Sequence, residues 1–396
     1  MNISARQLPL DQIAAAYVET GKTAGMLTAV KRHGEIKHLN CAGYADRETA
    51  TPIREDTLFR IYSMSKPVTS VALMTLFEKG HFQLDDAAKR WIPELAKMQV
   101  YEQGPIESDI TIRQLLTHTA GFSYGFNPEQ CPVDKQYAII WRKEIREKSL
   151  CEILPELFQI PLIAQPGTRW HYSIATDICG YLVELISGMP FADYLQQTLF
   201  EPLGMTDTGF EVSLENQSRL ASLYSFDPDD PLKRIETAND SPLIPAVTGK
   251  PVRLHSGGAG LVSSLADYLR FAQMMLNRGE SDGLQILKPE TVALMTQNQI
   301  SEKQLPLSFN GVRAGEYYGY GFGLGYCVTI DTDKTAAAGT LGDFGWGGLA
   351  DTYCWVDPEH NMIAILLQQF MPSLFHPGRL DFRNAVYSSL AAGQLE

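Results

Sequence analysis

The chain has 396 residues, 44% of them hydrophobic and 20% charged, a composition that excludes wholesale disorder and is long enough for roughly two to three domains' worth of packed core. Its 33 lysines and arginines stand against 46 acidic residues, a formal net charge of −13, which argues against nucleic acid or an anionic membrane as a partner. No apolar run approaches the ~18 residues that a transmembrane helix needs, the longest near the end being Met362 to Leu367.

From the start of the chain, Ile13 to Val18 is flanked by Asp11 and Glu19 with no basic stretch before it, so it reads as a first amphipathic helix and not as an export signal. Met26 to Val30 and Ile36 to Cys41 are strand-like and are joined by Arg32-His33-Gly34, a hairpin signal. Ser63 to Lys79 predicts a helix: Val68, Val71, Ala72, Met74, Thr75 and Phe77 repeat with helical spacing, and Gly80 stands where a stop is expected. Pro67 falls in its first turn, where a missing N–H is tolerated.

From about Leu84 to Gln304 the pattern is mainly helical, at Ile112 to Leu116, Ala175 to Ile186, Ala192 to Leu199 and Leu265 to Leu276. Loops rich in Pro, Asp and Ser intervene, notably Phe226 to Pro245. Strands return at Gly321 to Ile330, Ala350 to Val356 and Met362 to Gln368, the last two joined by the turn Asp357-Pro358-Glu359-His360-Asn361. Leu380 to Ala392 closes the chain as a helix. Strand-rich ends around a helical middle predict an α+β fold, an antiparallel sheet flanked by helices. The expected division is an α/β domain from residues 1–84 and 305–396, with a helical insertion at 85–304 and a site in the cleft between them.

Six cysteines without a C-x-x-C pair fit reduced, mostly buried thiols in a cytoplasmic protein. The eight histidines show no metal-ligand spacing and no nucleotide-binding glycine fingerprint is present, so neither a metal nor a cofactor is expected.

Two serine motifs compete for a nucleophile. Gly121-Phe122-Ser123-Tyr124-Gly125 matches G-x-S-x-G, but a nucleophile elbow needs a strand before the serine and a helix after it, and neither is predicted around Ser123. Ser63-Met64-Ser65-Lys66 matches S-x-x-K, a pattern expected by chance about once among 23 serines and 15 lysines. Its context is better. Ser63 opens a long helix whose dipole favours negative charge, and Lys66 lies about one turn along the same face. Burial would lower the lysine's pKa toward that of a usable base. Taken alone, a capping serine and a solvated lysine explain the motif equally well.

The surrounding segments resemble one family. Leu58-Phe59-Arg60-Ile61-Tyr62-Ser63-Met64-Ser65-Lys66 resembles the active-site segment of serine β-lactamase-related proteins. Ile112 to Gly121, Pro202-Leu203-Gly204-Met205, Gly257-Gly258-Ala259-Gly260-Leu261 and Gly345-Trp346-Gly347-Gly348 follow in the family's order. The pattern is most similar to the family VIII carboxylesterases, relatives of class C β-lactamases and penicillin-binding proteins, and it implies a β-lactamase/transpeptidase-like fold.

The resemblance implies that Tyr172, in Trp170-His171-Tyr172-Ser173, is a second catalytic residue beside Ser63 and Lys66. A phenol beside an ammonium is expected to have its pKa lowered, making phenolate available as a base. His171, Ser173 and His118 read as scaffold or core. The resemblance also implies an oxyanion hole from the backbone N–H groups of Ser63 and Leu349. Where lactamases carry Y-x-N, this chain has Ile174; where they carry K-T-G, it has Trp346-Gly347-Gly348. Lacking that lysine, the pocket is expected to prefer neutral, apolar esters over β-lactams or D-alanyl peptides. Gly347 and Gly348 permit close backbone approach, or form a bulge in an edge strand. Tyr124, Phe126, Trp346, Tyr318 and Phe322 are candidates for an apolar substrate wall.

The function expected is a serine carboxylesterase acting on small short-chain esters through an acyl-enzyme on Ser63. Its rivals are an acyltransferase using the same acyl-enzyme, a weak β-lactamase or D-peptidase, and an idle relative that only binds.

Overall fold

The computed structural model describes residues 8–144, 148–235, 252–308 and 316–396. Strands β1 (Gly25–Arg32) and β2 (Glu35–Asp46) form the expected hairpin, its turn made by His33 and Gly34 with φ of 50° and 83°. Two consecutive positive φ values give the turn whose twist matches that of the flanking strands. A short β3 (Thr51–Pro52) extends the sheet. Five strands come from the other end of the chain: β4 (Tyr320–Phe322), β5 (Cys327–Thr329), β6 (Phe344–Gly347), β7 (Tyr353–Asp357) and β8 (Met362–Gln368). The order is β4-β5-β6-β7-β8-β1-β2-β3, antiparallel throughout. The two ends of the chain meet where Met26 of β1 faces Gln368 of β8.

Strand β8 explains the apolar run near the end of the sequence. Met362, Ala364 and Leu366 pack with Ile13, Tyr17, Phe382 and Val386 from helices α1 (Ile13–Glu19) and α5 (Gly378–Ala391). Ile363, Ile365 and Leu367 point the other way, into the main core with Leu27 and with Val68 and Val71 of helix α2 (Ser65–Glu78). Side chains alternate along a strand, so one covered on both faces must be apolar at every position. Helices α3 (Ala175–Ser187) and α2 pack together, and α4 (Leu265–Leu276) lies on β7 and β8. No helix among the described residues is long and apolar enough to cross a membrane.

Helices 112–116 and 265–276 begin and end where their periodicity places them, each opened by a side-chain cap, Thr111 or Ser264. Elsewhere the structure corrects the reading. Ala192 to Leu199 is a short helix, Phe191–Leu195, that widens into a π turn at Gln196–Phe200. Gly321 to Ile330 is not one strand: Gly325, at φ 92°, turns the chain so that β4 and β5 pair as a hairpin. Ala350 to Val356 becomes strand only at Tyr353, because Gly348 and Thr352 close a tight turn. Helices Pro132–Glu144, Leu150–Leu157 and Pro289–Thr296 are not among the segments singled out within the helical middle, although Ser149 and Glu152 form a capping box at the start of the second. The loop Phe226 to Pro245 lies outside the described residues from 236 onward. All six cysteines are free, but only Cys179 and Cys354 are buried, while Cys41 and Cys151 are exposed, so the thiols are not mostly buried.

Candidate active site

The strand Leu58–Arg60 pairs with Val262–Ser264, away from the main sheet, and leads into a 3-10 turn at Tyr62–Met64 that precedes α2. The helix therefore begins two residues after Ser63 and not at it. Tyr62 adopts φ 44°, a left-handed conformation that costs a bulky residue of order 1–3 kcal/mol. The turn so formed leaves Ser63 half-buried on the wall of a cavity of about 810 Å³.

Lys66 lies in the first turn of α2, with only 1% of its surface exposed. Its Nζ is 3.3 Å from Ser63 Oγ and donates at 2.7 Å to the Gly258 carbonyl. The ammonium position also faces the rings of Tyr172 and Tyr124, at 4.6 and 5.0 Å from their centroids. Burial, which penalises the charged form, lowers its pKa to about 7 despite the opposing pull of Asp177.

Tyr172 completes the group, hydrogen-bonded to Ser63 and accepting from Trp346 Nε1 at 3.4 Å. Its pKa is not lowered as expected. Burial pushes the phenol up, and the hydrogen bonds from Ser63 and Trp346 only partly oppose this. Desolvation acts on the lysine and the phenol in opposite directions, so it frees the amine and protonates the phenol.

Strand β6 carries Trp346 and Gly347. It is interior to the sheet and not an edge strand, yet β5 pairs only with Phe344 and Gly345, so the Trp346–Gly347 end runs past β5 to the cavity. Gly348 and Leu349 follow on the cavity wall, as does Ser63. A Cβ at Gly348 would collide with the Ile61 carbonyl oxygen and with Thr352 Oγ1. The missing side chain thus lets this strand end close onto the turn that presents Ser63. If the Leu349 N–H is the oxyanion donor that the resemblance implies, Gly348→Ala is expected to cut kcat for ester hydrolysis by about 100-fold or more, the scale of losing one such donor, with a smaller change in KM.

Tyr124, Phe126, Tyr172, Tyr318 and Trp346 line the cavity. Phe322 does not: it is fully buried beneath Trp346, with ring centroids 5.3 Å apart. Ile174 is buried at the start of α3. His118 is buried among Trp170, Tyr172 and Phe322, its pKa held well below the usual value by burial. Ser123 is buried away from the cavity wall, donating to Asp134 and lying 3.3 Å from His171 Nε2. That carboxylate sits on the serine and not on the histidine, the wrong order for a proton relay.

Sequence reasoning missed two sets of residues. Asp177, buried on α3, accepts from Ser256 Oγ (2.5 Å), Gly258 N–H (3.1 Å) and Tyr124 Oη (3.3 Å). It anchors the glycine loop whose carbonyl meets Lys66. A cue was present, an acidic residue at an otherwise apolar face of α3. Because the Asp177 charge favours the ammonium, Asp177→Asn is expected to move the acid limb of kcat/KM, if Lys66 is the base, to lower pH. A pH-rate series on both proteins checks this. The second set is cationic: Lys334, Arg379 and Arg383 reach the cavity wall, paired with Asp331, Asp351 and Asp343 at 2.7, 2.8 and 2.5 Å. The pocket is therefore not free of positive charge, although each cation has its own carboxylate.

The sequence model of the Beta-lactamase family matches residues 10–387. An uncharacterized protein of Mycobacterium tuberculosis is 36% identical over 385 residues, covering 94% of this chain and 92% of that protein. Esterase EstB of Burkholderia gladioli is 32% identical over 394 residues, covering 96% of this chain and 94% of the esterase. Among solved structures, EstCE1, described as a hydrolase with promiscuous acyltransferase activity, superposes with a TM-score of 0.80 at 28% identity, covering 96% of this chain and 97% of that one.

Proposed function

The chain belongs to the beta-lactamase family, and on that premise we propose that it is a serine hydrolase of the esterase kind, resembling family VIII carboxylesterases and forming an acyl-enzyme on Ser63. The observation that carries this reading is a buried amine, with its pKa lowered to about 7, lying 3.3 Å from a hydroxyl on the wall of a large aromatic cavity. Neutral Lys66 takes the Ser63 proton as Oγ bonds to the ester carbonyl carbon. The N–H groups of Ser63 and Leu349 hold the resulting oxyanion. As the tetrahedral intermediate collapses, the C–O bond to the alcohol breaks and the protonated Tyr172–Lys66 pair returns a proton to the leaving oxygen. Water then repeats the sequence and frees the acid.

Short-chain neutral esters such as nitrophenyl butyrate are the first substrates to try. The cavity is far larger than a butyryl group, which favours a second reading in which an alcohol acceptor binds beside the acyl-enzyme and takes the acyl group. Six free thiols support a reducing compartment, the cytoplasm. Intact-mass measurement after brief exposure to activated esters and to nitrocefin tests the scheme. The expected result is one acyl adduct, absent in Ser63→Ala, with slow nitrocefin turnover. Fast nitrocefin turnover would favour a lactamase, and an ester product that grows with added alcohol would favour the acyltransferase.

A further inference from the structure

Arg379 projects from the first turn of α5, and its Nη2 donates to the Gly348 carbonyl oxygen. The same carbonyl accepts from the Asp351 N–H at 3.1 Å, while the Gly348 N–H donates to the Thr352 carbonyl at 2.8 Å. The guanidinium Nε lies 2.8 Å from Asp351 Oδ1, with the two side chains 14% and 2% exposed. Asp351 is fixed in turn by Gln368 Nε2 at 2.7 Å and the Leu374 N–H at 3.3 Å. A Cβ at Gly347 would collide with Arg379 Nη1, so this approach of the guanidinium depends on glycine there.

The carbonyl of Gly348 and the N–H of Leu349 belong to one planar, conjugated peptide unit. A cation bonded to that oxygen draws electron density from the unit, strengthens the N–H as a donor and fixes its direction. Buried ion pairs contribute little net stability compared with apolar replacements, so stability alone does not account for this one. We infer that Arg379 is a positioning residue that clamps and polarises the Gly348–Leu349 peptide, the second oxyanion donor. The inference rests on the acyl-enzyme reading above and adds to it the part that aims the donor.

The test compares Arg379→Lys, which keeps the charge without the planar guanidinium, and Arg379→Met with Asp351→Asn, which removes both charges of the pair together. Nitrophenyl butyrate kinetics, affinity for an alkyl boronic acid that mimics the tetrahedral intermediate, and thermal melting are measured on each. The double variant is expected to lose roughly 10- to 100-fold in kcat with KM little changed. Boronate affinity should fall in parallel, the lysine variant should lie between, and the base's pH midpoint should stay in place. A merely structural role would not weaken boronate binding while leaving KM alone. Wild-type kcat and boronate affinity in the double variant, or in the lysine variant if the double one fails to fold, overturn the inference. So does a loss confined to KM. If the wild-type protein takes no acyl group on Ser63, the acyl-enzyme reading itself has failed; an acylated wild type beside an unimpaired variant sinks only the role of Arg379.

Discussion

Replacing Ser63 with Ala is expected to lower ester turnover by roughly 10⁵- to 10⁶-fold, the loss that follows removal of a covalent nucleophile. Replacing Ser123 with Ala should leave most of the rate. The two serines differ in surroundings more than in motif. Ser63 stands on the cavity wall with an amine at 3.3 Å, whereas Ser123 is sealed in the core as a donor to Asp134. Its loss leaves a buried carboxylate short of a partner, at a stability penalty of about 1–3 kcal/mol. Ser123→Ala should therefore melt lower while it remains active, and Ser63→Ala should melt close to wild type while inert. Nitrophenyl butyrate assays and thermal melts on both variants decide it, and an inactive Ser123→Ala beside an active Ser63→Ala would reverse the assignment.

The second large effect concerns the base. In the role proposed for it, Lys66 must be neutral to accept the serine proton, and its pKa is lowered to about 7. The free protein's kcat/KM is therefore expected to rise with pH through a midpoint near 7 and level off above it. Below that midpoint the lysine is protonated and the rate falls tenfold per pH unit. Lys66→Met should cost about 10²- to 10⁴-fold across the range and remove this limb. Tyr172→Phe should lower the plateau and keep the midpoint near 7. A Lys66→Met variant that keeps its rate beside a Tyr172→Phe variant that loses it would transfer the base's role to the phenol.

The legible parts of this protein were those written locally. Thr111 and Gln114 are three residues apart and cap their own helix, so Ile112 to Leu116 could be placed from sequence. The hairpin at His33-Gly34, the alternation within Met362 to Gln368 and the S-x-x-K spacing are equally short-range. Tyr172 came from resemblance, and its proton affinity was misjudged because burial, which raises it, is a property of the assembled core. Asp177 and Arg379 were missed for a related reason. Each acts on a backbone atom remote in sequence, at Gly258 and at Gly348, and nothing beside them in the chain announces the partner. The hairpin within 321–330 was missed because a glycine in an apolar run also reads as an interruption within a single strand.

The meeting of the two chain ends in one sheet has a consequence for biosynthesis. Arg60 and Gln369, 309 residues apart, exchange backbone-to-amide hydrogen bonds of 3.2 and 3.0 Å just upstream of the serine turn. On a ribosome the amino-terminal ribbon emerges long before the segment that will lie beside it, and in the interval one of its borders stays open to foreign pairing. Residues 348 and 349 must be made before they can close onto the Ser63 turn, so a nascent polypeptide that has not reached them carries the serine and the lysine without that wall of the cavity.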